Sequence, residues 1–298
     1  MTSPIDPIAG VSVLSTGSVT IHPEHVGPTR KNLYVWLFTS TRWTEPRPIN
    51  TYVIEHRDGL VLFDTGQDRA SVTDPDYFPG GLNGLVYSRL ATFDIGPQET
   101  LAAGLAARGH RVSDVDTAVI SHLHQDHIGG LPVLGHARIV VDRREWDALG
   151  KPLPEARGLM RRHIDLPGLN WSRVTPELLD DSTIAPFTHG HDLFADGSLL
   201  ILPTPGHTPG SVSLLVRRPG HAPLLMVGDL TYDDALLAAG KLPGVGDRKQ
   251  MRQTVRRVNA LRQALPGLVI LPAHDPGAAA RLEAALRMSS VQGAGTHE

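Results

Sequence analysis

Seven consecutive residues, Ser121-His122-Leu123-His124-Gln125-Asp126-His127, put three imidazoles and one carboxylate within six positions, directly after an apolar run. Neutral imidazole and carboxylate suit zinc and neighbouring first-row metals, and a catalytic site keeps one position open for water. His122 and His124 stand two residues apart, so an extended backbone would aim both at the same side. Asp126 and His127 then need a turn to face a second point nearby. Four ligands this close cannot comfortably serve one ion, which points to two ions, each completed from elsewhere in the chain. A His-rich surface turn is the plain alternative, and the downstream sequence argues against it.

Three later segments share one form, an apolar run ending in His or Asp. Leu199 to Pro203 leads into Thr204-Pro205-Gly206-His207-Thr208-Pro209-Gly210. Leu224 to Val227 leads into Gly228-Asp229-Leu230-Thr231-Tyr232, and Leu268 to Pro272 into Ala273-His274-Asp275. Ligands at strand ends on one rim of a sandwich can converge. A lone histidine after a strand is more often a core or surface imidazole, so the weight lies in the joint occurrence of all three behind the dense cluster.

The elements that must position these residues read as strands at Leu33 to Phe38, Thr51 to Glu55, Leu60 to Phe63, Ala118 to Ser121 and Ala137 to Val141, and again at Leu199 to Leu202, Ser211 to Val216, Leu224 to Val227 and Leu268 to Leu271. Helical patterns lie between them. Pro97 to Arg108 has Leu101 and Leu105 one turn apart with Gly109 as a stop, and Lys249 to Leu265 carries the stripe Met251, Val255, Val258, Leu261, Leu265 behind Asp247 and Gln250, which resemble a capping box. Two clusters of strands, each followed by helix, predict an α/β fold: an αββα sandwich of two mixed β-sheets with helices on the outer faces. The expectation is one domain over 1–298, with a frayed tail from about 289. Pro46 to Asn50 and Pro152 to Pro167 read as loops, not linkers. Gly66 to Gly96 holds Tyr77, Phe78, Leu82, Leu85, Val86, Tyr87, Leu90 and Phe93 without helical or strand period, which leaves open a packed Ω-loop or a wall covering substrate.

Composition sets the outer bounds. The 298 residues are 41% hydrophobic and 20% charged with a net charge of -3, an ordinary globular balance without the basic excess that would recruit nucleic acid. Cysteine is absent, so any metal must be held by His, Asp or Glu, and thiol nucleophiles and disulfides are excluded. The opening Met1-Thr-Ser-Pro-Ile-Asp-Pro lacks the basic and apolar regions of a signal peptide, and no apolar run approaches the roughly 20 residues of a membrane span, so a cytoplasmic protein without a membrane partner is expected.

The ordered set His122-x-His124-x-Asp126-His127, His207, Asp229 and His274 resembles the metallo-β-lactamase superfamily, over roughly Thr51 to Asp275. Within it the chain is most similar to the N-acyl homoserine lactone lactonases, through Ser121-His-Leu-His-Gln-Asp-His-Ile-Gly-Gly130, Thr204-Pro-Gly-His-Thr-Pro-Gly210 and Asp229-Leu-Thr-Tyr232. The resemblance implies one metal on His122, His124 and His207, a second on Asp126, His127 and His274, and Asp229 bridging them, the two ions being Zn2+. Asp64-Thr65-Gly66 matches an early Asp-x-Gly turn, in which Asp64 would support the ligand loop without binding metal. Gln125 stands where the lactonases carry an aromatic residue. His189 and His191 mimic the His-x-His spacing but lack the Asp-His continuation and read as surface histidines.

The implied chemistry is opening of a lactone ring by a metal-bridging hydroxide, with Tyr232 donating a hydrogen bond to the substrate and Asp126 shuttling a proton to the leaving alkoxide. Trp36, Phe38, Trp43, Tyr77, Phe78 and Tyr87 would wall an apolar trough for the acyl chain, although such residues are by default core. Apolar surface on the long loop would also serve a homodimer. Within the superfamily, too little chain follows His274 for the helical domain of a glutathione-thioester hydrolase or for an appended flavin domain, cysteine-using β-lactamases are excluded, and those with an all-His second site lack an Asp229. A nuclease would want a basic surface. The alternative is a hydrolase of another small lactone, ester or phosphotriester with the same ligands; a metal-holding sensor without turnover is a further class.

Overall fold

A computed structural model describes the backbone of residues 6–294 and the side chains through residue 288. One sheet has seven strands: β1 (Ile8–Ile21), β2 (Arg47–His56), β3 (Gly59–Phe63), β4 (Ala91–Asp94), β5 (Val115–Val119), β6 (Arg138–Asp142) and β7 (Asn170–Val174), in the spatial order β4-β1-β2-β3-β5-β6-β7. The other has six: β8 (Glu177–Leu178), β9 (His189–Asp192), β10 (Leu199–Pro203), β11 (Val212–Val216), β12 (Leu224–Gly228) and β13 (Val269–Pro272), in the order β13-β12-β11-β10-β9-β8. Both are mixed. β1, β2 and β3 pair antiparallel while β3, β5, β6 and β7 run parallel, and in the second sheet only β12 and β13 are parallel.

The central strands are apolar on both faces because both faces are covered. In β10, Leu199 and Ile201 pack between the sheets with Ile54, Val61, Phe63, Leu214 and Met226, whereas Leu200 and Leu202 face outward onto Met251, Val255, Val258 and Leu261 of the helix Arg248–Ala264. Asp247 caps that helix through the backbone N–H groups of Lys249 and Gln250, both at 2.9 Å. On the opposite side, Leu62, Ala118 and Ile139 pack against Leu101 and Leu105 of the helix Leu101–Ala106 and Leu149 of the helix Arg143–Leu149. Helix, sheet, sheet and helix therefore form the expected αββα layers.

Several expectations are corrected. Leu33 to Phe38 is a helix, Leu33–Thr39, with the Asn32 side chain accepting from Tyr34 N at 3.0 Å; six consecutive apolar residues cannot be assigned by periodicity, and the cap decides. Gly66 to Gly96 is not without secondary structure. It contains the helices Ala70–Thr73 and Gly81–Leu90 and then β4, which pairs with the end of β1 from Ile21↔Ala91 to Ser18↔Asp94. Pro46 to Asn50 is largely the start of β2, where Pro48 opposes Ser18. The described backbone closes on the helix Ala278–Ala294, so the tail expected from about 289 lies partly outside the described residues. Among the described residues no helix is long and apolar enough to cross a membrane.

Candidate metal centre

The C-terminal ends of β5, β10, β12 and β13 open onto one rim, and each delivers part of a single polar cluster. After β5 the chain runs extended through His124, which precedes the one-turn helix Gln125–Ile128 carrying Asp126 and His127. His207 lies in the loop after β10, Asp229 directly after β12, and His274 two residues beyond β13. Gly228 makes the turn into Asp229 at φ +50°, where a Cβ would lie 2.7 Å from Ser121 Oγ, so the close approach of these two loops requires glycine.

Three overlapping groups of donor atoms result: His122, His124 and His207; His122, His127 and Asp229; Asp126, His127 and His274, each with its ligand atoms within 4.8 Å of one another. His124 Nδ1 lies 3.0 Å from both His122 Nε2 and His207 Nε2. The two Asp229 oxygens divide between the groups. Oδ1 is 3.3 Å from both His127 Nε2 and His274 Nε2, while Oδ2 is 3.6 Å from His207 Nε2. Asp126 reaches in from the more open side, with Oδ2 3.4 Å from His274 Nε2 and Oδ1 3.8 Å from His127 Nε2. All seven residues singled out in the sequence as ligands are thus brought together. His189 and His191 sit on β9 and do not join them.

The outer nitrogens explain which ring atoms face inward. His127 Nδ1 donates to Asp64 Oδ2 at 2.8 Å, His274 Nδ1 to the Pro48 carbonyl at 3.0 Å and His124 Nε2 to the Arg157 carbonyl at 3.3 Å. Each outer hydrogen bond fixes a tautomer and leaves the inner nitrogen a lone pair, as metal ligation needs. Asp64 also accepts from Ser121 N at 2.7 Å and Ser121 Oγ at 2.9 Å, so it anchors the ligand loop and stays outside the donor groups. His127 Nε2, His274 Nε2 and Asp229 Oδ1 are buried with no hydrogen-bond partner among the described residues. Buried polar atoms of this kind normally have one, and a cation between them would supply it.

Electrostatics divide the histidines. Burial and the neighbouring His127, His124 and His207 hold His122 well below its usual range, and burial pushes His207 down to about 3. Burial also acts to lower His274 and His127, but it is outweighed: Asp229 and Asp126 raise His274 to about 10, and Asp64, Asp229 and Asp126 raise His127 well above 6.5. A concentration of negative charge around His127 and His274 therefore attracts protons, or a metal in their place.

Three supporting residues carried no recognisable signal in the sequence. Buried Glu145 accepts from Leu123 N at 3.0 Å with one oxygen, and from Thr208 Oγ1 at 2.7 Å and Gly210 N at 3.0 Å with the other, tying the His122 and His207 loops together. Arg47 Nη1 donates to the carbonyls of Tyr232 and His274 at 2.8 and 3.1 Å. His25 Nε2 lies 3.0 Å from the Tyr232 hydroxyl. Their partners are distant in sequence, so spacing could not find them. A separate grouping of His56, Asp58 and Asp196 is a surface staple, since Arg57 already pairs with Asp196 at 3.0 Å.

The cluster lines a cavity of about 340 Å³. His124, Asp126, His207, Asp229, His274 and Tyr232 share its lining with the apolar Ile21, Leu33, Val86, Leu90 and Phe93, which pack around Tyr232. Gln125 lines it as well. Of the six aromatics expected as its wall, only Tyr87 does so: Trp36 is buried in the core behind, Trp43 stacks on His22, Phe38 is largely exposed, and Tyr77 and Phe78 pack with Met160. Of the two alternatives for Gly66 to Gly96, each holds for a part: Tyr77 and Phe78 pack inward, while Val86, Tyr87, Leu90, Ala91 and Phe93 line the cavity.

The model of the metallo-beta-lactamase superfamily matches residues 44–274. The chain is 32% identical over 234 residues to the N-acyl homoserine lactonase AttM of Azorhizobium caulinodans, covering 78% of this chain and 83% of that one. It is 30% identical over 281 residues to a probable metallo-hydrolase of Mycobacterium tuberculosis, covering 88% and 86%. A solved structure of an N-acyl homoserine lactone hydrolase with the product N-hexanoyl-L-homoserine at its catalytic metal centre superposes with a TM-score of 0.72 at 20% identity, over 90% of this chain and 94% of that one.

Proposed function

This chain belongs to the metallo-β-lactamase superfamily, and from that premise we propose that it is a dinuclear metal-dependent lactonase opening the ring of N-acyl homoserine lactones. The observation that carries the substrate class is the mixed lining of the cavity, carboxylates and imidazoles together with apolar side chains. A lactone head needs the first and an acyl chain the second. Similarity to lactonases over most of the chain supports the same assignment.

His122, His124 and His207 would hold one ion, Asp126, His127 and His274 the other, and Asp229 would bridge them through its two oxygens. Zn2+ fits the nitrogen-rich donor set. Two such ions supply a water activated at neutral pH and polarisation of the lactone carbonyl. The remaining work falls to the protein. Burial and Asp229 push the Tyr232 hydroxyl well above 10, so it keeps its hydrogen and can donate to the substrate's carbonyl or ring oxygen. Asp126 is the more accessible acid of the centre and faces the cavity, which suits it to carry a proton towards the departing alkoxide oxygen. Ile21, Leu33, Val86, Leu90 and Phe93 exclude water from the acyl chain.

The test is turnover of acyl homoserine lactones of several chain lengths by purified protein of known metal content, alongside other lactones, esters and a phosphotriester. Ring opening of the homoserine lactones with two ions per chain is expected. Inertness towards all of them with rapid turnover of another ester would replace the substrate, an outcome that similarity to a probable metallo-hydrolase of Mycobacterium tuberculosis also allows.

A further inference from the structure

The Tyr232 hydroxyl has two partners, and one placement of hydrogens satisfies both. Its oxygen lies 2.7 Å from Asp229 Oδ2 and 3.0 Å from His25 Nε2. A carboxylate offers only acceptors, so at 2.7 Å Asp229 Oδ2 takes a hydrogen from the phenol and has none to give. The single phenolic hydrogen is then directed at Asp229, and His25 Nε2 must carry a hydrogen and donate it to Tyr232 Oη. Burial holds His25 down to about 4, so its ring is neutral and Nδ1 is bare; that atom is buried without a partner among the described residues.

The position of His25 is built into the fold. It lies in the short helix Pro23–Val26 that follows β1, and its carbonyl accepts from Gly244 N at 3.2 Å, tying it to the loop whose Val245 and Gly246 line the same cavity. Its neighbour Glu24 accepts from Ser40 Oγ at 3.0 Å and Arg42 at 2.8 Å, which fixes the helix from outside. The His25 ring meets the Tyr232 ring edge-on, centroids 5.1 Å apart, and rests 5.9 Å from that of Trp36.

We propose that His25 is a positioning residue for ring opening, its Nε2–H occupying one lone pair of Tyr232 Oη so that the phenolic hydrogen is confined to the side shared by Asp229 and the substrate. An N–H on a phenol oxygen also strengthens the O–H as a donor, because linked hydrogen bonds polarise one another. The inference rests on Tyr232 as donor to the lactone, and it gives His25 an effect only through Tyr232.

A double-mutant cycle on the metal-loaded protein tests it. His25→Phe removes the donor at similar ring size. It is expected to lower kcat about tenfold, the rate equivalent of one neutral hydrogen bond, with KM and metal content unchanged. His25→Gln, whose amide nitrogen can reach the former Nε2 position, should restore most of the rate, and His25→Phe added to Tyr232→Phe should slow it no further. Equal slowing by His25→Phe with and without Tyr232, or no slowing at all, overturns the proposal. Should the protein hydrolyse a different ester, the lactonase assignment falls while the same cycle on that ester still decides His25. Nitrogen NMR of 15N-histidine-labelled holoenzyme, with His25 assigned by its loss in His25→Gln, gives a readout independent of turnover: an Nε2–H tautomer supports the role and an Nδ1–H tautomer ends it.

Discussion

Asp229 reaches both halves of the centre, since one oxygen meets His127 and His274 and the other meets His207 and the Tyr232 hydroxyl. Asp229→Asn keeps the size but replaces one of these acceptors with an NH2 donor and removes the anion that neutralises both cations. Metal content by plasma emission spectroscopy and turnover should fall together, and full occupancy at an unchanged rate would refute the bridge. Tyr232→Phe should behave differently. With the ligands untouched, the metals stay while kcat drops by about 10²-fold, the scale for losing one oriented donor to a developing oxyanion. Asp64 tests the outer layer. Asp64→Ala leaves His127 Nδ1 and Ser121 without their acceptor, so metal affinity by competition with a chelator should weaken about 10–100-fold, with both ions still bound at saturation.

At the scale of elements, the centre depends on loops that leave four different strands, and Glu145 joins two of them. Glu145→Gln cannot accept at all three of its present contacts, because an amide offers one oxygen and an NH2 facing a donor. The loops of His122 and His207 should part slightly, with a loss of about 1–3 kcal/mol in unfolding free energy for the buried group left unsatisfied, read by denaturant titration of the chelated protein. Elements of this kind set the limit of what sequence alone discloses. The ligands were legible because each follows a run such as Leu199 to Pro203 or Leu224 to Val227, apolar on both faces and ending in His or Asp. β1 was not, although it spans 14 residues, because Ser, Thr and two glycines interrupt its alternation. The helix Gly81–Leu90 was hidden for another reason: Leu82 and Leu85 face solvent while Val86 and Leu90 face the cavity, so no single apolar stripe forms. Residues that act on the site across the fold, Glu145, Arg47 and His25, are visible only once the strands are paired.

For the whole molecule, the centre couples folding to protons and metal at once, because every inner ligand lies at a rim closed by both sheets. Without metal, two sets of histidines pull in opposite directions. His274, raised to about 10, and His127, raised well above 6.5, bind protons more tightly folded than unfolded, so their contribution is complete below about 6.5 and is lost as pH climbs towards 10. His207, lowered to about 3, and His25, lowered to about 4, do the reverse: the unfolded chain takes up protons first, and stability falls as pH drops below about 6.5. The chelated protein should therefore be most stable near pH 6.5, with Tm declining on both sides. A metal ion needs His127 and His274 neutral and competes with the proton each would hold, so loading should release protons and its stabilisation should grow as pH rises. Thermal unfolding from pH 5 to 10, with and without chelator, separates these curves. The expected result is a high-pH decline in the chelated protein that metal flattens; parallel curves at constant separation would mean that the ions do not displace protons from His127 and His274.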